Sequence, residues 1–175
     1  MRPWCSMATT VWVGASSVRR TRCRRSRTGA PASADKPLRE PFPAGDITIS
    51  GSCDFDVFAH TVEDKAVSKT YFDDDGNPTR QIINGRLVVE LTNLETGKSI
   101  VYNVSGPGFI TFFEDGSVDV VLGGRSLLFF FPGEVEDLPL LFVNSGQVTL
   151  HLDPEGNIVG VEQVGEVEDV CAALA

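Results

Sequence analysis

Asp54, Asp56 and His60 lie two and four residues apart, so an extended chain carries two carboxylates and an imidazole on one side. Such a trio can exchange protons with a bound substrate. Phe55, Val57 and Ala59 occupy the opposite side, which assigns the polar trio to solvent. The inverted assignment, with the trio lining an interior, is the one route to catalysis, as in a barrel enzyme of the cyclase or isomerase kind. Tyr71-x-Asp73-x-Asp75-Gly76 has the outline of a calcium loop. Its first position is Tyr instead of Asp, and its twelfth is Ile82 instead of a bidentate Glu. It therefore reads as an acidic hairpin turn. No nucleophile elbow or phosphate-binding loop is present. Gly106-Pro107-Gly108, Gly123-Gly124 and Asn84-Gly85 read as hairpin chemistry. Asn103-Val104-Ser105 fits a glycosylation pattern but falls within a predicted strand. The reading assigns no catalytic residue, no metal ligand and no cofactor.

The cysteines are Cys5, Cys23, Cys53 and Cys171, with no CxxC spacing and no histidine beside them, which disfavours zinc. Cys53 and Cys171 flank the part of the chain that reads as a domain, and a disulfide between them would tie its two ends together. The alternative is a pair of reduced, buried thiols.

The remaining candidate is apolar. Leu127–Phe131 and Leu138–Val143 are apolar on both sides, whereas other segments are apolar mainly on one. A one-sided sheet would leave Leu128, Phe130, Leu141 and Val143 in water. They require cover from a C-terminal helix through Val167, Val170 and Leu174, from Pro37–Pro43, from a partner chain or from a hydrophobic ligand. These four residues are the candidate binding surface.

The elements that must position them alternate with period two from Asp54 to Val164, between turn signals about ten residues apart. Examples are Leu87/Val89/Leu91, Val118/Val120/Leu122 and Val148/Leu150/Leu152. Turns are expected at Asp73–Pro78, Asn93–Lys98, Glu114–Gly116 and Asp153–Asn157. Val167, Val170, Cys171 and Leu174 follow helical spacing, with acidic residues in the first turn. Short connections imply antiparallel neighbours. The expected fold is all-β: an antiparallel meander closing into a small up-and-down barrel, or alternatively a two-sheet sandwich, with a short C-terminal helix.

The net charge of −9 hides a division. Residues 1–45 carry nine basic and two acidic residues, net +7, while residues 46–175 carry six basic and 22 acidic, net −16. The boundary is placed there: residues 1–45 as a disordered basic, proline-rich segment, and 46–175 as the β domain. Ala32-Ser33-Ala34 has the form of an export cleavage site. The weakly apolar stretch Thr10–Val18 precedes the arginines instead of following them, so the segment reads as a degenerate signal or an incorrect start. The acidic body disfavours nucleic acid and anionic membrane as partners. No apolar run reaches membrane-spanning length.

Cys53-x-Phe55-x-Val57, Thr92–Ser99, Ser105–Gly108, Asp115–Ser117 and Asp169–Leu174 together resemble small exported proteins of high-GC Gram-positive bacteria. The resemblance runs from about Asp46 to the end and implies export and a β fold, with no catalytic residue to carry over. The function expected is an exported, non-enzymatic β module that binds a partner protein or a hydrophobic small molecule.

Overall fold

β-Branched and aromatic residues at alternate positions favour extended backbone, and glycine or Asx residues end each run. The computed structural model describes residues 36–175. Eleven strands form: β1 (Leu38–Pro41), β2 (Ile47–Ile49), β3 (Val57–Asp64), β4 (Val67–Phe72), β5 (Pro78–Asn84) and β6 (Leu87–Asn93), then β7 (Ser99–Asn103), β8 (Gly108–Phe112), β9 (Val118–Phe129), β10 (Leu141–Leu152) and β11 (Ile158–Asp169). One short helix, α1 (Val170–Leu174), follows. All ladders are antiparallel, in a seven-stranded sheet ordered β1-β4-β5-β8-β9-β10-β11 and a four-stranded sheet ordered β2-β3-β6-β7.

The all-β expectation holds, and of its two arrangements the two-sheet one forms. No ladder joins β1 to β11 or β2 to β7, so neither sheet closes into a barrel. The cause is a shared corner. β3 runs into β4 through Lys65–Ala66, and β5 into β6 through Gly85–Arg86, so two paired strands leave one sheet and enter the other together. Lys65 N–H donates to the Arg86 carbonyl at 2.7 Å across that corner. Asn84-Gly85 is therefore a sheet corner and not a hairpin tip.

Gly123-Gly124 is not a turn either. β9 runs straight through it, and Gly124, Gly146 and Gly165 lie side by side on β9, β10 and β11. Each has positive φ, and a Cβ on Gly146 or Gly165 would strike the backbone of the adjoining strand. Only glycine fits this row.

The two-sided apolar segments of β9 and β10 are the centre of the molecule. Phe129, Leu141 and Val143 pack with Val57, Val89, Leu91 and Tyr102 of the smaller sheet. Leu128, Phe130 and Phe142 belong to a second cluster, with Val120, Val148 and Leu150 and with Val135 and Leu138 of the following loop. Val170 and Leu174 of α1 are fully buried in the first cluster, so the helix covers Leu141 and Val143 as expected but not Leu128 and Phe130, which lie in the second cluster. The helix is shorter than its spacing suggested. Val167 and Glu168 pair with Asn144 and Val143, so β11 continues to Asp169, which then caps α1 by accepting from Ala172 N–H at 3.0 Å.

The domain reaches further toward the N-terminus than the charge division indicated. Leu38–Pro41, assigned to the basic segment, is the edge strand beside β4. Ala32-Ser33-Ala34, Cys5 and Cys23 lie outside the described residues. Four turns repeat one design, a left-handed glycine at Gly76, Gly97, Gly116 or Gly156. In two of them the Asp73 and Asp153 carboxylates accept from the Asn77 and Asn157 side chains and backbone N–H groups, which holds both acids below the usual carboxylate range. That contribution is present above pH 3.8 and is lost as pH falls further.

Cys53 and Cys171 form a disulfide with Cα atoms 5.5 Å apart across 118 residues of sequence. Loop-closure entropy sets an upper figure of about 5 kcal/mol for a closure of this size. Cys53→Ser/Cys171→Ser should lose roughly 2–5 kcal/mol in urea unfolding. Reductant should shift the midpoint of the wild-type chain but not of the variant.

Candidate functional site

The strands part at the corner, and an apolar cleft of about 120 Å³ opens there. Ile83 of β5, Ile110 of β8 and Leu122 of β9 line one side, and Leu87 and Val104 the other. The cleft persists because the backbone around it is held in tight approaches. A Cβ on Gly106 would collide with the Gly123 carbonyl, and Gly123 N–H donates to the Pro107 carbonyl at 2.8 Å. Phe42, Pro43 and Ala44 form a strap that also lines the cleft. The strap is tied at both ends, by Phe42 N–H to the Ala66 carbonyl at 2.9 Å and by Ala44 N–H to Asp64 Oδ2 at 2.7 Å. Pro37–Pro43 was one of the expected covers, and its last two residues do line an apolar site.

One polar side chain stands out among this lining. Ser126 is 9% exposed, and its Oγ is the one buried side-chain polar atom among the described residues with no hydrogen-bond partner. An unsatisfied buried hydroxyl costs about 1–3 kcal/mol. Its cross-strand neighbour Asn144 is buried but satisfied, its amide lying 2.8 Å from the Gln163 amide. Sequence reading missed Ser126. A lone serine between Arg125 and Leu127 carries no spacing signal, and its neighbours across the cleft come from strands remote in sequence.

The expected binding residues fall elsewhere. Leu128, Phe130 and Leu141 are 0% exposed and Val143 is 1% exposed, each covered by the chain itself. Leu127, from the same apolar run, does line the cleft. Asp54, Asp56 and His60 all face solvent, and the structure does not join them into one group. His60 Nδ1 lies 3.0 Å from Asp46 Oδ2. The Thr61 N–H, and then His60, hold Asp46 below its ordinary value. Asp54 borders a shallow depression over the disulfide with Asp169, the helix cap. The second histidine, His151, pairs with Asp119 at 2.6 Å on the outer face of the larger sheet. No three His, Cys, Asp or Glu residues converge as a metal group among the described residues.

Tyr102 anchors the smaller sheet to the larger one beside the glycine row. Its hydroxyl donates to Glu168 Oε1 at 2.8 Å, while Arg125 pairs with Glu168 Oε2 at 3.1 Å and lies 5.4 Å from the tyrosine ring centre. Burial, then the hydrogen bond to Glu168, push the phenol up to about 12. A phenol raised above 10.0 stabilises the fold fully below that pH and loses the contribution as pH rises through about 12. Tyr102→Phe should flatten the fall in stability over that interval, read from urea midpoints at stepped alkaline pH.

The molecule is thus a two-sheet antiparallel β protein with a disulfide linking the segment between β2 and β3 to the C-terminal helix, and with an apolar cleft at the sheet corner. Comparison of the chain with family models, with curated proteins and with solved structures gave no match.

Two substitutions separate cleft chemistry from packing. Ser126→Ala should stabilise the unliganded chain by about 1 kcal/mol, because it removes a hydroxyl that nothing satisfies. Gly108→Ala places a methyl 3.5 Å from the Leu122 side chain and 3.6 Å from Ile83, at ordinary contact distance inside the cleft. It should add roughly 0.4–1 kcal/mol while shrinking the space. Urea midpoints of both variants check these signs.

Proposed function

We propose that this chain is an exported, non-enzymatic binding module that takes a small hydrophobic group in the cleft at the sheet corner. The observation that carries the reading is the cleft itself, walled by Ile83, Leu87, Val104, Ile110 and Leu122, with Asn84 and the buried, unpartnered Ser126 hydroxyl as its polar side chains. Such a hydroxyl has a use when a ligand brings a polar atom to it, and the apolar walls supply the rest of the affinity. A volume near 120 Å³ suits one aromatic ring or the end of a short alkyl chain. Export is supported by the Cys53–Cys171 disulfide, since such bonds persist in oxidising compartments. No helix among the described residues is long and apolar enough to cross a membrane.

The test compares hexanol with hexane by NMR titration of the methyl groups of Ile83, Leu122 and Leu127. Both should perturb those methyls, and hexanol should bind more tightly by roughly tenfold, the equivalent of one hydrogen bond of about 1.4 kcal/mol. Ser126→Ala should abolish the preference and Gly108→Ala should weaken both ligands. If neither molecule moves those methyl signals, the cleft is not a binding site.

A further inference from the structure

The outer face of the seven-stranded sheet carries an ordered charge pattern. Register places Arg39, Lys69, Ile82 and Phe109 side by side on β1, β4, β5 and β8. The same row continues through Val121 and Thr149 to Glu162 on β9, β10 and β11. It runs from cationic at one edge, through an apolar middle, to anionic at the other, with Phe109 on the central strand and 41% exposed. The adjoining row places Tyr71 and Arg80 on one side of Thr111 of β8 and, on the other, Asp119, which pairs with His151 at 2.6 Å. Among the described residues neither Arg39, Lys69 nor Arg80 has an intramolecular ion pair, although residues 46–175 carry a net charge of −16.

We infer that this face is self-complementary and binds a second copy of the chain. A twofold axis running along β8 superposes each strand position on its mirror-numbered position in the partner copy. Phe109 then meets its own equivalent at the centre, and Ile82 meets Val121. In the outer positions Arg39 faces Glu162, and in the second row Arg80 faces Asp119. The same operation sets Lys69 against the buried Thr149 and Tyr71 against His151, so the charge matching rests on Arg39–Glu162 and Arg80–Asp119. A partner carrying only one sign of charge would match half the face and be repelled by the other half. Seven strands spaced about 4.8 Å apart give a face of roughly 600 Å² per copy. That lies below the ~800 Å² per partner of a standard stable interface, so the dimer is a weak, concentration-dependent one.

Sedimentation of the full chain tests this. The wild type should show a mass rising toward dimer with concentration, and Phe109→Asp should remain monomeric. Arg39→Glu and Glu162→Arg should each weaken self-association ~10-fold, because each sets like charges opposite one another. An equimolar mixture of the two variants should recover it, since every mixed pair restores opposite signs. Circular dichroism of the variants confirms that they fold. A wild type that stays monomeric at its highest soluble concentration overturns the inference. So does a Phe109→Asp variant as dimeric as the wild type, or a mixture no more dimeric than its separate components.

Discussion

The structure depends on hiding both faces of one ladder. Phe129, Leu141 and Val143 project from one side of the paired β9 and β10 segments, while Leu128, Phe130 and Phe142 project from the other. Each such side chain left in water would forfeit about 1.5–3 kcal/mol. The rest of the fold supplies cover. The four-stranded sheet and α1 close one side, and residues from the far half of the larger sheet and the loop bearing Val135 and Leu138 close the other. The disulfide holds α1 against the first cluster, and Asn93 assists by donating from Nδ2 to the Leu174 carbonyl at 3.1 Å. A closed barrel would have only one interior, and this ladder needs two.

Much of this was legible because it rests on local period and on burial. Alternation identified the strands, and the Asx-glycine clusters at Asp73–Pro78 and Asp153–Asn157 identified turns that the structure forms. The cysteine pair followed because Cys53 and Cys171 are the two cysteines outside the basic segment. The two-sided apolarity of Leu127–Phe131 correctly signalled that something had to lie on each face. It could not say what, and four fully buried residues were therefore read as a candidate surface.

Glycine defeated the reading where its meaning is tertiary. Gly123-Gly124, Gly146 and Gly165 have the same local signature as turn glycines, yet they line up across three continuous strands. Their register depends on partners twenty residues away, so no single window contains the information. The helix was overestimated for a related reason. Val167 satisfies a helical period and a strand period equally, and pairing with Asn144 on β10 decided in favour of the strand. The edge strand Leu38–Pro41 lay inside a segment whose charge and prolines argued against any fold; proline is tolerated there because β1 pairs on one side only.

The cleft has a geometric origin that bears on its use. Where two paired strands turn together out of one sheet and into another, the sheets diverge, and the wedge between them must be filled or left open. Here the residues at the wedge are small or backbone-tight: Gly85, Gly106, Gly108 and Gly123, with Pro107. Bulky side chains are excluded at Gly85 and Gly106 by collision with neighbouring carbonyls, so those two positions cannot close the space. At Gly108 a methyl would fit, which makes that opening a feature of this residue choice and not of the backbone. A purely structural wedge would need no hydroxyl, and alanine at position 126 would spare the chain the desolvation of Ser126 Oγ. On the reading proposed above, a ligand with an apolar body and one polar atom would supply the partner that Ser126 Oγ lacks.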